Sequence, residues 1–144
     1  WGGIVIFMGI RDLEVDTLAT LLGVGAIVVS NHGGRQLDGA LSSIRMLPKI
    51  INAVDGKCEV WLDGGIRSGQ DILKAKALGA TGTMIGRSYI YGLGAMGEAG
   101  VTTALQILQK ELDMTMALCG HRNVNDVTRD ILYVPSDFEG NWAK

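Results

Sequence analysis

Ser30-Asn31-His32-Gly33-Gly34-Arg35 places a base, two conformationally free glycines and a guanidinium within one turn. Histidine is the side chain best suited to moving a proton near neutral pH. Arginine is a planar fork that matches a carboxylate. Side by side, His32 and Arg35 point to proton transfer on a small organic acid held by its carboxylate. Two later loops suit an anion: Asp63-Gly64-Gly65-Ile66-Arg67 and Gly86-Arg87. Glycines there expose backbone N–H groups at helix starts, where the helix dipole favours negative charge. Arg67 and Arg87 add bidentate donors, so a phosphate is the natural occupant. Taken alone, the same two arginines also fit ordinary surface charge at helix starts.

Each of these loops needs a strand to deliver it. Ile4–Ile10 is an unbroken apolar run that reads as a strand buried on both faces. Asp12 is placed to cap a helix carrying Leu13, Val15, Leu18, Leu21 and Leu22, closed by Gly23. Ala26–Ser30 is the second strand and runs straight into the histidine turn. A helix over Ile44–Val54 follows, capped by Ser42 or Ser43, with Pro48 arguing for a later start. Glu59–Asp63 is the third strand, Gln70–Leu78 the next helix and Thr81–Ile85 a weaker fourth strand. A short helix at Tyr89–Leu93 and a long amphipathic one near Val101–Leu118 complete the pattern. Strand–helix alternation repeated four times means a parallel sheet with helices packed outside. A (β/α)8 barrel and a doubly wound sheet both fit, and both put sites just after strands. Phosphate loops after the last two strands favour the barrel.

Composition narrows the function classes. Over 144 residues, 13 basic side chains meet 15 acidic ones for a net charge of −2, which gives no electrostatic drive toward nucleic acid. Hydrophobic residues make up 47%, a globular content, yet no apolar run approaches a membrane span. Cys58 and Cys119 form neither metal nor disulfide spacing and read as reduced thiols of a cytoplasmic protein. The chain opens at Trp1 with no initiator methionine and no basic leader, so a cut piece of a longer protein is expected. Trp61 and the six methionines read as core material, and His121 as a cation or donor at a helix end. Phe138 and Trp142 are the apolar residues of a polar tail that could dock elsewhere.

Ser30-Asn31-His32-Gly33-Gly34-Arg35-Gln36-Leu37-Asp38, Asp63-Gly64-Gly65-Ile66-Arg67 and Gly86-Arg87 together resemble the FMN-dependent α-hydroxy-acid oxidising family. That family includes glycolate oxidase, L-lactate dehydrogenases and oxidases, and mandelate dehydrogenase. The likeness runs from about Ile4 to Val127 and implies the second half of a TIM (β/α)8 barrel over residues 1–134, with 135–144 as a tail. It implies FMN as cofactor and oxidation of an L-2-hydroxy acid to the 2-oxo acid. His32 is then the base and Arg35 the carboxylate clamp. Ser30 touches the flavin, and Asp63, Gly64, Gly65, Ile66, Arg67, Gly86 and Arg87 hold the ribityl chain and phosphate. It also implies a missing N-terminal half-barrel as partner, and a homo-oligomer in the intact protein. IMP dehydrogenase resembles the Asp-Gly-Gly-Ile loop, but it lacks the His-Gly-Gly-Arg turn and depends on a cysteine that neither Cys58 nor Cys119 supplies. One position departs from the family: Met8 stands where a lysine is expected to put positive charge beside the flavin. With only four strand–helix units, a non-catalytic truncated half-barrel that keeps its phosphate loops is the second reading, and a nucleotide-phosphate-binding barrel of the IMP dehydrogenase kind is the third.

Overall fold

The computed structural model describes residues 6–10 and 23–138. Four strands form one sheet in the order β1 (Ile6–Ile10), β2 (Ala26–Val29), β3 (Glu59–Asp63), β4 (Gly82–Met84). All three pairings are parallel. The order never reverses, so this sheet has no topological switch point of the doubly wound kind. The helices are α1 (Ser43–Val54), α2 (Gly69–Ala77) and α3 (Arg87–Leu118). The helix expected after Asp12 lies outside the described residues, as do Ile4, Val5 and Trp142.

Ile27 and Val29 of β2 with Val60 and Leu62 of β3 pack against Met46, Leu47, Ile50 and Val54 of α1. All four residues of β2 are buried, as its continuous apolar run requires. On the opposite face the register lines up Met8, Val28, Trp61 and Gly82 in one row across the sheet. The indole of Trp61 lies over Gly82, where a Cβ would come within 2.5 Å of the ring. Its Nε1–H donates to Glu59 Oε2 at 2.9 Å. Trp61 thus packs across the sheet from a half-buried position outside the core that its place in a strand suggested, and Met8, Met96 and Met114, also expected inside, are more than half exposed.

Element boundaries differ from expectation by a residue or two, most visibly in the helices. α1 starts at Ser43 and runs through Pro48, which sits in its second turn and removes a single backbone bond. Ser42 occupies the cap position without a side-chain hydrogen bond. The short helix and the long one expected after β4 are both present as the two limbs of α3, joined without a loop at a sharp break at Met96 and Gly97 (φ 60°, ψ −137°), the latter a conformation open only to glycine. Gly100, Leu108 and Met116 are its buried positions beyond the break, while Leu105, expected on the same stripe, is half exposed. Beyond α3, the His121 N–H donates to the Met116 carbonyl at 2.9 Å, so this residue closes the helix end through its backbone. Phe138 packs beside the main core with the Arg45 guanidinium 5.7 Å from its ring centroid.

Candidate active site and anion cradle

The turn after β2 is built from backbone that most residues avoid. His32 (φ 51°), Gly33 (φ 67°) and Gly34 (φ 75°) are three consecutive left-handed residues. Glycine adopts this freely, whereas histidine loses about 1–3 kcal/mol, so something must hold it. The His32 N–H donates to Ser30 Oγ at 3.1 Å, and the Gly33 N–H to Asn31 Oδ1 at 3.0 Å. Ser30 Oγ in turn donates to Asp63 Oδ2 at 2.6 Å, joining this turn to the end of β3. Ser30 is 1% exposed, while His32 and Arg35 reach solvent. The imidazole lies across β1: a Cβ on Gly9 would stand 3.2 Å from His32 Nε2.

The two candidate anion loops are not equivalent. α2 begins with a capping box, in which Ser68 Oγ accepts from the Asp71 N–H and Asp71 Oδ2 accepts from the Arg67 and Ser68 N–H groups at 3.0 Å. Glu111 Oε2 takes the Gly69 N–H at 2.9 Å. That helix start is filled by the chain's own carboxylates, and Arg67 can offer a ligand its side chain but not its N–H. α3 begins at Gly86, which has no side chain to cap it. Ser88 Oγ donates to the Ile66 carbonyl at 2.9 Å and ties the two loops together. Arg67 and Arg87 are exposed, and among the described residues neither has an ion-pair partner. Dipole, open N–H groups and two guanidinia therefore converge at the start of α3.

These parts line one cavity of about 430 Å³. His32, Gly33 and Arg35 form one wall, Asp63 to Arg67 the floor, and Gly86, Arg87 and Ser88 the other wall. The two walls meet, since a Cβ on Gly33 would stand 3.2 Å from Arg87 Nη2. The volume suits a cofactor or small ligand. Of the residues expected to act on substrate or cofactor, only Ser30 lies off this lining, buried behind it with its hydroxyl on Asp63. Met84, Ser88 and Ile90 line the cavity without having been anticipated. Ser88, a hydroxyl in the first turn after Gly86-Arg87, carried a signal for it; the two apolar residues carried none. Met8 sits on β1 one residue before Gly9 and is 51% exposed.

Parallel strands, a base and an arginine after one strand, and an anion cradle after the next two define an α/β protein with its site along the C-terminal ends of its strands. The family comparison is more specific. Residues 1–134 match the family of FMN-dependent dehydrogenases, and the chain belongs to that family. It is 50% identical over 132 residues to an L-lactate dehydrogenase of Actinobacillus pleuropneumoniae serotype 5b (strain L20), covering 92% of this chain and 35% of that protein. An L-lactate dehydrogenase of Caulobacter vibrioides (strain NA1000 / CB15N) is 49% identical over 92% of this chain and 34% of its own length. Among solved structures, mandelate oxidase with benzoyl-formic acid superposes with a TM-score of 0.86 at 47% identity, over 90% of this chain and 38% of that one. The chain thus spans about a third of the length of the curated relatives it matches. No helix among the described residues is long and apolar enough to cross a membrane.

Proposed function

We propose that this chain is the C-terminal half of a (β/α)8 barrel, residues 1–134 with a tail at 135–144, and that it supplies the FMN and substrate loops of a hydroxy-acid oxidoreductase. The uninterrupted parallel order of the four strands supports the barrel. A missing N-terminal half-barrel completes it along the sides of β1 and β4 that meet no other strand among the described residues. The reaction is oxidation of an L-2-hydroxy acid, of the lactate or glycolate kind, to the 2-oxo acid. The observation that carries this reading is the single cavity shared by His32, Arg35, the Asp63–Arg67 loop and Gly86-Arg87.

The cavity suits a flavin mononucleotide on chemical grounds. An uncapped helix start flanked by two guanidinia with no ion-pair partner among the described residues fits a phosphate dianion, and a neutral ligand would leave those charges without a counter-charge. Arg67, Gly86 and Arg87 hold the phosphate, while Asp63, Gly64, Gly65 and Ile66 form the wall along the rest of the cofactor; Ser30, expected to touch the flavin, lies buried behind that lining and acts on it through its hydrogen bond to Asp63. When bound, FMN supplies the acceptor for the two electrons of the oxidation. Arg35 fixes the substrate carboxylate through its fork. His32, on the same turn, takes the proton that the substrate loses. The rigid left-handed turn keeps the clamp and the base in register.

The direct test is flavin reduction by L-lactate in the completed barrel with His32→Ala. Reduction should fall by 100-fold or more, about the scale of a lost general base, while FMN stays bound. Reduction at the parental rate would remove His32 from the mechanism. Met8 favours a second reading, a non-catalytic half-barrel that binds the cofactor without turnover. A completed barrel that is yellow yet stays oxidised with L-lactate would select it.

A further inference from the structure

We infer that Ser30 is a positioning residue through which the anion loop after β3 sets the geometry of His32 on the loop after β2. Ser30 is 1% exposed, so water cannot replace its partners. Its hydroxyl is used twice, and on two different loops. It donates to Asp63 Oδ2 at 2.6 Å and accepts the His32 N–H at 3.1 Å. The donation to the carboxylate fixes the hydroxyl proton, which leaves a lone pair aimed at the His32 amide. That amide belongs to the one non-glycine residue of a left-handed run, at φ 51°. The bond that holds His32 in an unfavourable conformation therefore depends on a carboxylate from the neighbouring strand. Asn31 adds a parallel stitch. Its Oδ1 accepts the Gly33 N–H at 3.0 Å and lies 3.3 Å from where a Cβ on Gly64 would stand. Gly64 follows Asp63 and lines the same cavity, so an anion that orders this loop also orders the turn carrying the base.

The catalytic consequence rests on the proposed role of His32, but the coupling does not. It is tested on the 144-residue chain by amide hydrogen exchange and by the nuclear Overhauser contact between the His32 ring and Gly9, which the structure brings together. Asp63→Ala leaves His32 untouched in sequence and removes only the acceptor for Ser30. Exchange at the His32 N–H should quicken about fivefold, the effect of losing a typical hydrogen bond, and the ring–Gly9 contact should weaken. Ser30→Ala should do the same. Asp63→Asn keeps an acceptor oxygen and should restore both signals to within about twofold of the parent on the same scale. Exchange at amides of α1 serves as the internal standard and should not change. Unaltered His32 exchange and ring contact in Asp63→Ala would overturn the proposal, as would an equal change throughout α1. Adding FMN gives a separate arm. Slowed exchange at Ser88 and at His32 in the parent, but at Ser88 alone in Ser30→Ala, extends the coupling to the ligand. Slowing at both sites in Ser30→Ala would overturn that extension. Absence of any FMN effect would refute the cofactor reading, with the ligand-free arm still deciding the coupling.

Discussion

Gly100→Ala should damage both the stability of the chain and the anion cradle, although residue 100 lies far from the cradle in sequence. After the kink at Met96 and Gly97, α3 doubles back so closely that Gly100 crosses Gly92 backbone to backbone. A Cβ on Gly100 would overlap the Gly92 carbonyl oxygen, well inside the 3.4 Å of ordinary contact. No side chain can swing aside there, so one of the two helical segments must move. Forcing an extra methyl into packed surroundings costs about 1–3 kcal/mol, and a backbone obstacle puts this site at the upper end. For a chain of this size, about 4 °C of melting temperature is lost per kcal/mol, so a drop of about 10 °C is expected. The segment that must shift begins at Arg87. FMN affinity, read from quenching of flavin fluorescence, should therefore fall together with stability. Thermal unfolding by circular dichroism supplies the first number. A melting temperature within a degree of the parent, with FMN affinity intact, would show that the crossing is looser than described and that α3 does not brace the cradle.

Other perturbations separate the supports of the site from the site itself. Asp71→Ala removes the acceptor of the capping box on α2 and should cost about 1–2 kcal/mol, seen as a lower midpoint in urea unfolding. Gly82→Ala sets a methyl against the Trp61 ring and should destabilise by about 1–3 kcal/mol, with a shifted Trp61 emission maximum reporting the displaced indole. Met8→Lys in the completed barrel should speed flavin reduction by L-lactate at least tenfold, about the scale of one restored charge contact at a preorganised site, measured by stopped-flow absorbance. An unchanged rate would mean that the missing charge does not limit the reaction.

The positions of the strands and the three loops were legible because each is specified locally, although β1, expected to be buried on both faces, leaves Ile6 and Met8 more than half exposed. An apolar run of four or five residues ending in glycine, with a charged residue just beyond, has few alternatives in an α/β chain. β3 matches its expected span, and β2 differs by the single residue Ser30, which leaves the ladder to bond Asp63. Non-local relations were not legible. Which helix start stays open depends on Glu111 reaching Gly69 across 42 residues, and no spacing rule contains that contact. The two helices after β4 were legible, but their crossing was not: Gly92 and Gly100 let the limbs meet backbone to backbone, and no spacing rule in the sequence contains that contact. The roles of Ser30 and Asn31 in holding His32 were likewise invisible, since a hydroxyl and an amide in a glycine-rich turn give no sign of their partners.

The most direct measurement is a fluorescence titration of FMN into the chain, repeated with Arg67→Ala/Arg87→Ala and with riboflavin, which lacks the phosphate. The parent should bind FMN at least 100-fold more tightly than riboflavin, and the double variant should bind the two alike, since two charge-assisted contacts supply about 3 kcal/mol or more. Equal affinity of the parent for FMN and riboflavin, or FMN binding that survives loss of both arginines, would contradict the anion cradle on which the account stands.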